Sequence, residues 1–312
     1  MLKIKIAYDL DVPVSLIDKA IRGAYSKVKR IRIPKKKGGF REIYQPSRNL
    51  KVIQYWLINN IFSHLVVHKS ASAYRKKYSI KDNVSQHSKN RYFLKLDIEN
   101  FFPSITFLDF LPIITTLHES NNTGWALDAE SKEIIKRSCF DGRLRLPIGY
   151  PTSPIISNAV MFEIDSKLST ELNSNVEKYG NTTYTRYADD FIFSTDKKGA
   201  SNEIKTFVEA LLLKTKSPRL NINTTKTRFS SSSGGSAFVT GLRICHDGHI
   251  TIHRKHKDHV RLMLLLFKKE KLKPEENISL KGHINYIRYI DPIFYNKLQR
   301  KYFKELSDLL KP

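Results

Sequence analysis

Cysteine is nearly absent. The 312 residues hold only Cys139 and Cys245, far apart and outside any paired spacing, which argues against a disulfide framework and against a cysteine-built zinc site. Both read as ordinary half-buried thiols. Long apolar runs are also missing: residues 262–267 form the only one of note, far too short to span a bilayer, so no membrane is expected among the partners. The first ten residues mix Lys3, Lys5 and Asp9 into their apolar positions and lack the uninterrupted stretch of a secretory signal, which makes the cytoplasm the expected compartment. Acids are scarce, 30 Asp plus Glu against 54 Lys plus Arg, for a formal charge of +24. That excess is far beyond what solubility needs and points to a polyanion, nucleic acid once the membrane is set aside. No internal repeat is present, and no segment resembles a separate nuclease, protease or effector domain.

A hydrophobic content of 40%, with 17 Phe and 15 Tyr, describes a folded chain rather than a basic tail. Lys27, Lys29, Arg30, Arg32, Lys35, Lys36, Lys37 and Arg41 surround the Gly38-Gly39 turn signal and read as a basic hairpin. Leu50, Ile53, Leu57, Ile61 and Leu65 recur at helical spacing. Residues 92–98 alternate as a strand that sends Leu94, Leu96 and Ile98 to one face and Lys95 and Asp97 to the other, taking Asp97 out of the core. Ser153 and Pro154 read as the cap and first turn of one helix running through Ile156, Val160, Ile164 and Leu168. Residues 184–194 read as a β-hairpin with Ala188-Asp189-Asp190 at its tip. After a flexible Ser/Gly run, residues 238–244 read as one strand, and from about Arg254 a helical stripe of Val260, Met263, Leu264 and Phe267 is flanked by cations.

An Asp-Asp pair alone is usually only a turn. Here it lies between aromatic strand residues, and a third acid, Asp97, sits on a second strand. Three carboxylates from two β elements suit two-metal phosphoryl transfer, in which one ion activates the attacking hydroxyl and the other holds the leaving oxygen. Magnesium, which prefers hard oxygen ligands, is the expected cofactor, two Mg2+ ions per site.

Four motifs then appear in order: Gly39-Phe-Arg-Glu-Ile-Tyr-Gln-Pro-Ser47, Lys95-Leu-Asp-Ile-Glu-Asn-Phe-Phe-Pro-Ser104, Leu146-Pro-Ile-Gly-Tyr-Pro-Thr-Ser-Pro154 and Tyr184-Thr-Arg-Tyr-Ala-Asp-Asp190. With them come Asn83-Val84-Ser85-Gln86-His87, which has Val84 where the pattern has Ala, and the triplet Val239-Thr240-Gly241. On these residues the chain resembles the retron reverse transcriptases, bacterial RNA-directed DNA polymerases, from about Pro34 to Ile244. The resemblance implies an α+β right-hand polymerase with basic fingers (1–90), an antiparallel-sheet palm with finger insertions (91–245) and a helical thumb (246–312).

It further implies Asp97, Asp189 and Asp190 as catalytic residues, and Asp97, Ile98, Asp189 and Asp190 as metal-binding positions. Phe102 would exclude a ribose 2′-hydroxyl, with a core Phe as the plainer alternative. Lys35 and Arg41 would hold the nucleotide triphosphate, or else template phosphates. Lys226 would protonate pyrophosphate, unless it is only solvated. Gly149 would let the backbone approach the nucleotide, while Ile148 replaces the family's usual Gln. His87, Val239, Thr240 and Gly241 would recognise RNA, together with the basic C-terminal helices. The implied substrates are dNTPs and a structured noncoding RNA whose guanosine 2′-hydroxyl primes synthesis. The product would be a 2′-5′ branched RNA-DNA molecule, msDNA, made in defence against phage beside a separate effector protein. The alternatives are a catalytically quiet RNA-binding scaffold that restrains a toxic partner, and a group II intron-like or other defence-associated reverse transcriptase. His246, His249, His253, His256 and His259 invite a zinc site, but phosphate or base contacts are the preferred reading.

Overall fold

The computed structural model describes residues 1–35, 38–120 and 124–311. Lys36 and Lys37 of the expected hairpin lie outside them. Around these two positions β1 (Lys29–Pro34) and β2 (Phe40–Gln45) pair antiparallel with Pro34 opposite Phe40, as the glycine turn predicts. The ladder is exposed along most of its length, as befits strands whose side chains are largely charged. The next helix, Arg48–Asn60, is capped by the Ser47 hydroxyl on the Leu50 amide and buries Leu50, Ile53, Trp56 and Leu57. It ends short of the expected Leu65, because residues 62–64 tighten into a 3-10 turn.

The central sheet is antiparallel, in the order β4-β5-β3-β6, with β3 at Tyr92–Asp97, β4 at Thr182–Tyr187, β5 at Asp190–Thr195 and β6 at Arg228–Ser231. Leu94, Leu96, Phe191 and Phe193 join the larger core, which also takes Ile164 and Leu168 from helix Phe162–Ser174 and Ile204 and Val208 from helix Ala200–Lys214. Phe93 and Ile192 belong instead to a second core, shared with a three-stranded sheet and the helices Arg254–Lys268, Pro274–Ile290, Pro292–Lys301 and Phe303–Leu310. β3 and β5 are thus buried on both faces, between the two cores.

Several expectations need correction. The helix foreseen from Ser153 is two helices, Ser153–Val160 and Phe162–Ser174, meeting at Met161. The Ser153 hydroxyl donates to the Pro147 carbonyl rather than capping. The single strand over 238–244 is two strands, β7 (Ser236–Val239) and β8 (Leu242–Cys245), with β9 (Ile250–Ile252) beside β8. Thr240 (φ 43°) and Gly241 (φ 86°) supply two successive left-handed residues, the tight turn that matches strand twist, and Thr is an uncommon residue there. The expected boundary at 245/246 falls between β8 and β9 of this sheet, and the second core includes Ala237. Cys139 is fully buried rather than half-buried, which pushes its thiol up to about 12.

Candidate active site

The β4–β5 hairpin closes with Tyr187 opposite Asp190, leaving Ala188 and Asp189 as its two-residue turn, Ala188 at φ 57°. On the other side of β5, Asp190 stands directly opposite Asp97 of β3. Residues opposite one another on antiparallel strands project to the same face with Cβ atoms about 5 Å apart. The Ile98 amide donates to the Asp189 carbonyl at 3.0 Å, which ties the turn to the end of β3. The three acids thus converge without any long-range loop having to find them.

Asp97 does not run free into solvent as its parity suggested, for it is only 6% exposed. Lys226, in the 3-10 turn Thr224–Lys226, covers it with Nζ 2.8 and 3.0 Å from the two carboxylate oxygens. Lys95 donates to Asp190 Oδ2 at 2.6 Å. Among the described residues no cation pairs with Asp189. Burial and then the Asp190 charge push its carboxyl above the usual range, and burial does the same to Asp190, partly offset by Lys95. Two lysines among three acids leave a net negative, oxygen-rich cluster, a donor set that fits hard divalent cations. Ile98 buries its side chain and spends its N–H on Asp189, so only its carbonyl is left to face a cation.

Beneath the turn lies a residue that the sequence reading passed over. Arg186 is fully buried and grips Asp165 with Nε and Nη2 at 2.7–3.1 Å. Its Nη1 donates to Asn158 Oδ1 at 3.1 Å and to the Ala188 carbonyl at 3.3 Å. The Tyr184 hydroxyl donates to the same Asp165 at 2.7 Å. The signal was present: Arg186 has the parity of Tyr184, so a cation on the inward face of a strand requires a buried partner.

A cleft of 930 Å³ opens beside Asp97 and Asp189 and is lined by Lys35, Arg41, Phe102, Ile148 and Lys226, which brings most of the expected nucleotide-binding residues together. Gly149 departs from expectation. Its φ is +105°, and a Cβ there would meet Ile43 Cγ2 and the Tyr44 carbonyl at 2.7 Å, so its bareness serves the approach of this loop to β2. Tyr74, which the sequence did not single out, also lines the cleft.

The direct RNA contacts expected of His87 and Val239 are corrected by burial, at 0% and 1% exposure. The His87 ring lies between the Ser194 and Thr185 hydroxyls at 2.8 and 2.7 Å, joining helix Ile80–Ser85 to β4 and β5, and burial lowers its pKa to about 3. The two outlying motifs do meet: Asn83 Nδ2 donates to Thr240 Oγ1 at 3.3 Å. Thr240 and Gly241, at the β7–β8 tip, keep surface to offer. The histidine cluster divides. His256 and His283 share a hydrogen bond at 3.1 Å, whereas Cys245 and Asp247 come within 4.8 Å of His249. A cysteine and an acid thus do accompany one histidine, yet Asp247 is already paired with that ring at 2.6 Å and both are exposed.

Comparison with known proteins agrees with this geometry. Residues 33–273 match the family described as Reverse transcriptase (RNA-dependent DNA polymerase). The chain is 49% identical over 277 residues to the Retron Ec73 reverse transcriptase of Escherichia coli, covering 88% of this chain and 87% of that protein. It is 32% identical to the Retron Ec83 reverse transcriptase of the same species, covering 87% and 85%. Among solved structures, apo telomerase from Candida tropicalis superposes with a TM-score of 0.52 at 14% identity, over 92% of this chain and 61% of the telomerase. The chain thus spans less than two thirds of that larger protein, and the likeness establishes the right-hand polymerase fold.

Proposed function

Since the chain belongs to the retron reverse transcriptases and is an RNA-directed DNA polymerase dependent on divalent metal, we propose that it copies a structured noncoding RNA into DNA at Asp97, Asp189 and Asp190, with Mg2+ as the ion. The observation that carries this is the register, Asp97 opposite Asp190 with the Asp189 carbonyl on the Ile98 amide. Bound there, two ions would activate the attacking hydroxyl and stabilise the leaving pyrophosphate. Lys35, just past the end of β1, and Arg41, in β2, bind the triphosphate of the incoming dNTP. Lys226, its side chain 53% exposed, stands close enough to Asp97 to serve as proton donor to the leaving group. Phe102 walls the sugar and rejects a 2′-hydroxyl.

In this reading residues 1–90 are the fingers, 91–245 the palm and 246–312 the thumb, which contributes β9 to the sheet β7–β9 and packs its helices in the same core. Thr240, Gly241 and the cationic C-terminal helices meet the RNA. The product is a 2′-5′ branched RNA-DNA molecule, and the enzyme acts in the cytoplasm with a separate effector protein in defence against phage. The test is to purify the protein with the noncoding RNA encoded beside it, add dNTPs and Mg2+, and look for DNA joined to RNA through a 2′ linkage. RNA retained without any DNA made would replace this reading with that of a scaffold, and DNA extended only from a free 3′ end would remove the branched product.

A further inference from the structure

Tyr74 occupies a place that folding alone does not explain. Its φ is 62°, in the left-handed region that Gly and Asn tolerate and a bulky aromatic avoids. The flanking chain enforces this: the buried Asn158 amide donates to the Ala73 carbonyl at 2.9 Å, and Arg75 Nη1 donates to the Lys69 and Ala71 carbonyls at 3.2 and 3.1 Å. The ring so presented is 55% exposed and adds little to the core. Strain held in place by its surroundings clusters at functional sites, and this side chain lines the cleft beside the acids.

The ring meets Phe102, with centroids 6.3 Å apart and planes at 50°. Phe102 meets the buried Phe101 edge-on at 5.4 Å. Tyr74, Phe102 and Ile148 are also shared between two cavities, the 930 Å³ cleft beside the acids and a 350 Å³ recess lined further by Lys51, Tyr55 and Tyr150. The Tyr74 ring thus stands at the boundary of the two spaces, against the half-buried Phe102.

We propose that Tyr74 is a positioning residue for sugar selection, holding the Phe102 ring across the boundary of the two cavities so that it cannot yield to a ribonucleotide. This rests on the reading of Phe102 as the wall against the 2′-hydroxyl. A steric barrier discriminates only as well as it is held, since a displacement of about 1 Å near a reacting centre costs on the order of a hundredfold.

The experiment is single-nucleotide extension of a DNA primer on an RNA template by the full chain, with dUTP or UTP, reading KM and kcat separately for Tyr74→Ala, Tyr74→Phe, Phe102→Ala and the Tyr74→Ala/Phe102→Ala pair. Tyr74→Ala is expected to lower the preference for dUTP on the order of tenfold, chiefly through a fall in the KM for UTP. Tyr74→Phe keeps the preference, because the ring and not the hydroxyl is invoked. The double variant discriminates no worse than Phe102→Ala alone, because Tyr74 acts through that ring. A preference unchanged in Tyr74→Ala but collapsed in Phe102→Ala overturns the inference and leaves the wall standing. A preference unchanged in Phe102→Ala overturns the wall, and the inference with it. An equal Tyr74→Ala effect in both backgrounds shows that Tyr74 acts independently and removes its positioning role.

Discussion

One β-hairpin carries two groups of charges that have been settled in opposite ways. Around Arg186 the ionic account is closed: one guanidinium and one carboxylate, both with no exposure, and every strong donor matched. At the turn three residues on, Asp97, Asp189 and Asp190 share only Lys95 and Lys226 among the described residues, both partly solvated. The closed group fixes where the turn lies, through the bond from Arg186 to the Ala188 carbonyl. The open group leaves a charge for incoming cations to satisfy. Stability and reactivity have thus been assigned to neighbouring residues, and each assignment can be broken separately.

The largest effect is expected at the open end. If Asp189 holds the ions as proposed, Asp189→Asn should lower DNA synthesis by about a thousandfold or more, since several kcal/mol of charge stabilisation would depend on them. The same substitution should raise the melting temperature of metal-free protein, because it removes a buried charge repelled by Asp190 and Asp97. Synthesis near the wild-type rate, or a lower melting temperature, would show that Asp189 serves the fold rather than the ions.

Arg186→Met should do the reverse. It leaves Asp165 buried without its cation, at a cost of about 3–5 kcal/mol, seen as a lower midpoint in urea unfolding. Adding Asp165→Leu should recover part of the loss, because an apolar pair of similar volume removes the orphaned charge. If the single variant is as stable as wild type, the buried pair does not hold the turn.

His87 gives an intermediate effect that depends on pH. Its folded pKa of about 3 lies below the ordinary 6.5, so the unfolded chain takes up the proton first. Its contribution is complete above pH 6.5 and is lost as pH falls toward 3, with a slope of up to about 1.4 kcal/mol per pH unit. His87→Asn should flatten the pH dependence of stability between pH 6.5 and 5 relative to wild type. Equal slopes in the two proteins would mean that the ring takes up its proton in the folded protein as readily as in the unfolded chain.

How far the sequence disclosed these regions follows from what each depends on. Alternation alone located β3 and the hairpin, and the acids followed, because the side-chain period of a strand is local. Register is not local: that Lys95 would reach Asp190, or Lys226 cover Asp97, needed the pairing of β3 with β5 and the return of residues 221–226 beside them. Arg186 escaped because its partner Asp165 lies on a helix read only for its apolar stripe of Ile164 and Leu168. The β7–β8 hairpin was hidden because Thr240 is a poor advertisement for a left-handed turn. His87 shows the cost of reading a motif without burial, since a polar residue in a motif can serve the scaffold.

Lys95 is where the contrast between the two groups is sharpest, and there the expected effect is smallest. Its ammonium occupies Asp190 Oδ2, an oxygen that a divalent ion would also seek, yet its side chain is 34% exposed and that of Asp190 20%. An ion pair so placed is worth about 1 kcal/mol at most. Lys95→Met should therefore tighten divalent binding by roughly fivefold, the equivalent of that energy, measured by titrating nucleotide-free protein with Mn2+ and following the free ion by electron paramagnetic resonance. Unlike Arg186→Met it should barely lower the stability of the metal-loaded protein, since the arriving ion replaces the charge removed. Weaker Mn2+ binding would show that Lys95 orients Asp190 for the ion instead of competing with it, and the open group would then share the closed group's rigidity.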